Sequence, residues 1–281
     1  MDIQRIAAFS ANGKGGNPAG VVLLDKAVPE EDMQKVAAEV GYSETVFAVP
    51  VEGKDGSWRV RYFSPESEVS FCGHATIALG AALGQRNGSG TYKLDLNNAS
   101  ITVDAAPSGE GMAATLASPP TKSRAITDDE SQDAMELLGL TKDDLDVRLP
   151  PARIHGGADH LMFALHDRAR LAAMTYSLDE GRDMMRQHKL VTIMLVHIEG
   201  DRVFSVRNAF ASGGVLEDPA TGAAAAAFAG YLRDRGWPHG KQFTIRQGED
   251  MGAPSIIEVQ LSSEAGSSVL VSGSARLMQA V

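Results

Sequence analysis

The sequence is short of several things, and each shortage narrows what it can do. It holds one cysteine, Cys72, in 281 residues. One thiol excludes internal disulfides and any cysteine-based metal cluster, and the reducing cytosol is the placement that fits. No stretch approaches the roughly 18 consecutive apolar residues that a membrane-crossing helix needs. The longest apolar run, Gly222 to Gly230, is nearly all alanine and too short to span. No positively charged segment followed by an apolar one opens the chain, so no secretory signal is visible. Basic residues are outnumbered, 26 Lys and Arg against 36 Asp and Glu, for a formal net charge of -10. That balance disfavours a nucleic-acid partner, because phosphate backbones are gripped by clustered Lys and Arg. No phosphate loop occurs and no Gly-x-Gly-x-x-Gly follows a strand. The histidines are scattered, without metal-ligand spacing. Neither a nucleotide cofactor nor a metal is therefore expected.

What the chain has is an internal duplication. Hydrophobic residues at 43% and charged residues at 22% are ordinary for a folded soluble chain, and the length suffices for one large domain or two medium ones. Five segments recur in the same order. A glycine turn feeds an apolar strand at Gly15–Leu24 and again at Gly156–Leu165. Charged-apolar helical stretches follow, Glu31 to Val40 and Asp179 to Lys189, leading into strands Thr45–Val49 and Ile193–His197. Third strands are Trp58–Ser64 and Val203–Phe210. A small-residue turn then opens an alanine-rich helix, at Cys72-Gly73-His74-Ala75-Thr76 and at Asp218-Pro219-Ala220-Thr221-Gly222. Strand-like segments close both copies, Tyr92–Leu96 with Ile101–Val103 and Phe243–Arg246 with Ile256–Leu261. Five matches in register argue for a long-period repeat. The expected organisation is α+β: a first half over residues 1–118 and a second over 119–281, with Pro119-Pro120 and the polar stretch to Asp129 as hinge. The last strand, about 269–278, is open to packing on either half. Two such halves enclose a cleft, and clefts between domains are favoured ligand sites.

The candidate chemistry gathers at the paired turns. Unpaired N–H groups at the two helix openings, with the helix dipole behind them, are suited to an anion; close packing of the helices is the alternative use of those small residues. His74 sits at the first turn, able to orient a substrate or pass a proton, or else to serve structure alone. Glu44 lies in Gly41-Tyr42-Ser43-Glu44-Thr45 where a helix gives way to a strand, and its counterpart near Thr192 is not acidic. Such asymmetry in a duplicated scaffold marks Glu44 for acid/base work, against the alternative of a solvated strand-edge carboxylate. Asp218 is either a helix N-cap or a cleft-facing anchor for a substrate amino group. Cys72 is either a nucleophile at a helix opening or an inert buried thiol. Asn17 in the first glycine turn lines the cleft or merely shapes the turn.

These stretches resemble the PhzF family, named for the phenazine-biosynthesis isomerase and sharing the diaminopimelate epimerase-like fold. The matching motifs are Gly16-Asn17-Pro18-Ala19-Gly20, Ser43-Glu44-Thr45-Val46-Phe47, Arg61-Tyr62-Phe63-Ser64-Pro65-Glu66, Cys72-Gly73-His74-Ala75-Thr76 and Glu217-Asp218-Pro219-Ala220-Thr221-Gly222, in the family's order. The resemblance implies two similar half-domains, each a mixed β-sheet wrapped around a central helix, with the active site in the cleft between them. It implies Glu44 as the acid/base, with His74 and Asp218 orienting the substrate. Asn17, Gly73, Thr76, Thr221, Gly222 and Ala223 fall in the substrate-binding motifs, the Gly73, Gly222 and Ala223 amides at the anion-binding turns. A homodimer and no cofactor are also implied. Two departures stand out. Ala223 follows the second Thr-Gly where many relatives carry Ser, which removes a hydroxyl but keeps the amide. Pro219 stands where two-thiol epimerases of this fold have a second cysteine, so a symmetric two-thiol racemase is excluded.

The expected function is a cofactor-independent isomerase moving a proton on a small carboxylate-bearing substrate, amino acid-like or cyclic, in the cytoplasm. The alternatives are a single-thiol epimerase or hydrolase using Cys72, and a small-molecule binding protein without turnover.

Overall fold

The computed structural model describes residues 1–109 and 111–278. The chain folds as two compact units, Met1–Ala117 with the closing segment from Ser272, and Ser118–Val271. The first contains β1 (Gln4–Ala8), β2 (Asn17–Leu23), α1 (Glu30–Val40), β3 (Thr45–Pro50), β4 (Ser57–Phe63), β5 (Glu68–Val69), α2 (Gly73–Asn87), β6 (Gly90–Asp95), β7 (Ser100–Ser108) and β8 (Gly111–Ala117). The second contains β9 (Lys122–Ala125), α3 (Asp128–Leu137), β10 (Ala152–His155), β11 (Asp159–Leu165), α4 (Arg168–Ala172), α5 (Leu178–Gln187), β12 (Thr192–Gly200), β13 (Val203–Ala209), β14 (Glu217–Asp218), α6 (Gly222–Asp234), β15 (Gln242–Gln247) and β16 (Ser255–Leu261). β17 (Val269–Leu277) begins in the second unit and ends in the first.

Local chemistry explains the elements that place the site. α1 opens on Glu30, Glu31 and Asp32, acids that suit the positive end of a helix. It stops at Gly41, whose φ of 70° is the left-handed turn that glycine adopts without strain. Its Met33 and Ala37 pack on Val22, Phe47 and Phe63. In β4 the inward Trp58, Val60 and Tyr62 alternate with the outward Arg59 and Arg61, the period-two signature of a half-buried strand. α2 is apolar on every side, which suits only a helix enclosed by protein. His74 to Gly84 are all buried.

Enclosure comes from a closed ring of strands. β1 pairs with β2, β2 runs parallel to β3, β3 is antiparallel to β4, β4 is parallel to β6, and β7 joins β6 to β8. β17 pairs with both β8 and β1, closing the ring, with Ile6 opposite Leu277. α2 packs against β1, β2, β3, β6, β7 and β8 from inside. Ring closure leaves these strands no open edge.

The second unit repeats the order of pairings. β10 is antiparallel to β11, β11 parallel to β12, β12 antiparallel to β13, β13 parallel to β15, and β15 antiparallel to β16. Each unit adds a two-residue strand after its third long one, β5 on β4 and β14 on β13. An arginine holds each of these pairs. Arg61 bonds Glu68 at 2.7 and 2.6 Å, and Arg207 bonds Glu217 in the same bidentate way.

The stretch from Pro119 to Asp129, expected as a hinge, contains β9, which pairs with β10 from Lys122 opposite His155 to Ala125 opposite Ala152. Arg124 and Arg153 both reach the buried Glu130, at 2.7 and 2.6 Å. Burial alone would raise that carboxyl; the guanidiniums and the Thr127 amide outweigh it and hold Glu130 at about 2. The polar run is polar because it carries this network.

Candidate active site

Glu44 follows the end of α1 and immediately precedes β3, and the amide of Gly20 anchors the turn by donating to the Glu44 carbonyl at 3.2 Å. A Cβ at Gly20 would lie 2.7 Å from the Thr45 hydroxyl, so only glycine lets β2 approach this corner. Opposite stands the opening of α2, with Cys72 as the cap residue and Gly73, His74 and Ala75 as its first turn. His74 Nε2 lies 3.4 Å from Glu44 Oε2 and 3.4 Å from Ser43 Oγ. Its Nδ1 lies 3.3 Å from the Cys72 sulfur. Donor atoms of Glu44, Cys72 and His74 all fall within 4.8 Å of one another, the one such trio among the described residues.

Glu44 Oε2 is buried and accepts a hydrogen bond from nothing. A buried carboxylate oxygen without a donor is costly, and such a cost is kept where a bound group supplies the missing partner. Thr76 differs from its expected role. Its hydroxyl donates to the Cys72 carbonyl at 2.7 Å and meets the Tyr62 hydroxyl at 2.7 Å, with the residue fully buried. Thr76 therefore fixes the cap of α2, and Tyr62, pushed well above the usual phenol range by burial, stays a neutral brace. Asn17 is the first residue of β2, opposite Ala8, and 2% exposed, so it belongs to the strand and not to the turn before it.

In the second unit Asp218 sits in β14, and the cap residue of α6 is Thr221. The Thr221 hydroxyl donates to Asp218 Oδ2 at 2.6 Å. Gln247, from the end of β15, locks this turn. Its amide donates to the Asp218 carbonyl at 2.7 Å and to Thr221 Oγ at 3.1 Å, and its oxygen accepts from the Thr221 amide at 3.2 Å. Gly222 and Ala223 are the first two residues of α6, so their amides are among the helix's unpaired donors. The N-cap reading of Asp218 thus passes to Thr221.

Laying the two arginine–glutamate pairs over one another puts Phe63 at Ala209, Thr45 at Ile193 and therefore Glu44 at Thr192. Thr192 is buried between His160, whose Nδ1 lies 2.8 Å from its hydroxyl, and Asn208, whose Oδ1 accepts from it at 3.0 Å. Sequence reasoning missed Gln247, His160 and Asn208, and named Thr192 only as the non-acidic counterpart of Glu44. The one signal was His160, a polar residue in an apolar strand where the first copy has Ala19; Gln247 carries none, since only the β13–β15 pairing brings it near.

Known proteins resemble this chain over nearly its whole length. The family model for phenazine biosynthesis-like proteins, PhzC-PhzF, matches residues 6–280. A Deinococcus radiodurans protein named as an uncharacterized isomerase is 32% identical over 266 residues, covering 91% of this chain and 85% of its own. The trans-2,3-dihydro-3-hydroxyanthranilate isomerase of Pseudomonas aeruginosa is 29% identical over 273 residues, 95% of this chain and 94% of that one. In fold, the chain matches the crystal structure of a Bacillus anthracis phenazine biosynthesis protein of the PhzF family, with a TM-score of 0.86 at 21% identity over 99% and 98% of the two chains. The protein is an enzyme of the isomerase class. Within that class it belongs to the PhzC-PhzF family of phenazine biosynthesis-like proteins.

Proposed function

We propose that the chain is a cofactor-independent isomerase that moves a proton between two carbons of a small, carboxylate-bearing substrate, amino acid-like or cyclic, with Glu44 as acid and base. The observation that carries this reading is the buried, unpartnered Oε2 of Glu44, 3.4 Å from His74 at the opening turn of α2. As carboxylate, Glu44 takes a proton from a carbon beside a carbonyl or double bond. The C–H electrons delocalise into that group, and the neutral carboxyl returns the proton to another carbon on the same face. In this reading the amides of Gly73 at α2 and of Gly222 and Ala223 at α6 hold negative charge, and His74 and Asp218 orient the substrate. Ala223, lacking a hydroxyl, sets the substrate apart from that of relatives with Ser. A cytoplasmic homodimer with its domain boundary near residues 118 and 119 completes the proposal. The naming of its relatives as isomerases removes the ground for a binding protein without turnover.

One observation favours a second reading. The helix opening folds the His74 ring back until its Nδ1 lies 3.3 Å from the Cys72 sulfur. A single-thiol mechanism would use that contact.

Incubation in deuterium oxide with a panel of cyclic and amino carboxylic acids, read by mass and proton NMR, separates the two. The first reading expects one compound to gain deuterium, with Glu44→Gln slowing exchange by roughly 10²–10⁴. Full exchange in Glu44→Gln, with loss in Cys72→Ser, would replace it with the thiol mechanism.

A further inference from the structure

The geometry points to a binding site for a soft divalent cation of the zinc class on Cys72 Sγ, His74 and Glu44 Oε2. Tetrahedral zinc, with bonds of about 2.0 Å to nitrogen and oxygen and about 2.3 Å to sulfur, sets neighbouring donors roughly 3.3–3.6 Å apart. Around His74 Nε2, the carboxylate oxygen lies at 3.4 Å and the sulfur at 4.0 Å, with the sulfur 3.3 Å from Nδ1 of the same ring. Closing the sulfur on Nε2 by about 0.5 Å brings both neighbours of that nitrogen to tetrahedral spacing, and the whole trio already lies within 4.8 Å. A second observation is independent of these spacings. Glu44 Oε2 is buried without a donor, the state of an acceptor that a cation would satisfy.

The donor set names the ion class. Thiolate and imidazole select zinc-like ions, and a trio with a single oxygen donor is a poor site for magnesium or calcium. Three protein donors leave a fourth position for water. His74 and Cys72 are 7% and 9% exposed, so the ion would sit against protein on most sides. On binding, the Cys72 thiol gives its proton to solvent and the resulting thiolate, the neutral imidazole and the carboxylate donate lone pairs; nothing is oxidised or reduced. The consequence for turnover rests on the proposed role of Glu44: a carboxylate bound to metal is withdrawn from proton transfer. The binding itself does not rest on it.

The purified full chain, freed of metal, is titrated with zinc by calorimetry and with cobalt by absorption. The expected result is one equivalent bound with a Kd at or below micromolar, a thiolate-to-cobalt charge-transfer band, and a Kd at least about 100-fold weaker in Cys72→Ala and His74→Gln. Cys72 is the sole thiol, so alkylation followed by mass reports on it alone without any variant. Zinc should slow that alkylation at least tenfold, and magnesium should not. No saturable zinc binding, a variant that binds as tightly as the natural chain, or alkylation indifferent to zinc would overturn the site. None of these readouts needs a substrate, so failure of the isomerase mechanism in deuterium oxide would leave this result standing, and the reverse.

Discussion

Thr192 in the second unit occupies the place of Glu44 in the first, and its surroundings are as defined as they are inert. Because its hydroxyl donates to Asn208 Oδ1, it accepts from His160, which must carry its proton on Nδ1. His160 is wholly buried, and burial pushes its pKa down to about 3. The folded state therefore excludes a proton that the unfolded chain binds below about 6.5. Stability from this residue is complete above pH 6.5 and drains away as pH falls toward 3, at up to about 1.4 kcal/mol per unit. Glu130, with a folded value of about 2 against an ordinary 4.5, loses its contribution from about pH 4.5 downward, which leaves pH 5 to 6.5 to His160. Urea midpoints between pH 5 and 6.5 should fall with pH in the natural chain and flatten in His160→Gln; equal slopes would show that the ring titrates freely. At this scale the sequence singled out Glu44, His74 and Asp218 as candidates through motif and asymmetry. It hid Gln247 and Asn208, whose partners come from strands that no local pattern pairs.

Among the elements, α2 and α6 were the most legible, since a run apolar on all sides has only an enclosed place to go. Strands with β-branched alternation were legible too. β8 was not: Gly-Met-Ala-Ala-Thr-Leu-Ala has the small side chains of a helix former and becomes a strand because α2 needs a close neighbour. Gly80 records the closeness. A Cβ there would stand 2.6 Å from Val103 Cγ2 and 2.9 Å from the Ala114 Cβ, atoms on β7 and β8 that cannot swing aside. In Gly80→Ala, overpacking of about 1–3 kcal/mol opposes a helix-propensity gain of about 1 kcal/mol. The expected net is a loss of up to about 2 kcal/mol, measured as a lower urea midpoint. A gain would mean that β7 and β8 yield more easily than their packing indicates.

Across the whole molecule, the duplication was readable from five segments in register, and the ring closure was not. Closure depends on β17, whose partners β1 and β8 lie far from it in sequence. Removing residues 272–281 should leave β1 and β8 with open edges, and the shortened chain should elute as aggregates or lose its cooperative melt. Leu277→Lys, at a side chain 60% exposed, should change neither. A truncated chain that elutes and melts like the full one would show that the ring stands without its last strand. The same threading has a consequence for synthesis. Ser118–Val271 is one unbroken run, made in full between β8 of the first unit and the part of β17 that closes its ring. The first unit leaves the ribosome earliest yet waits for the last strand to be made. For that interval the nascent chain carries two unpaired strand edges, on β1 and β8, the point at which a chaperone would matter most.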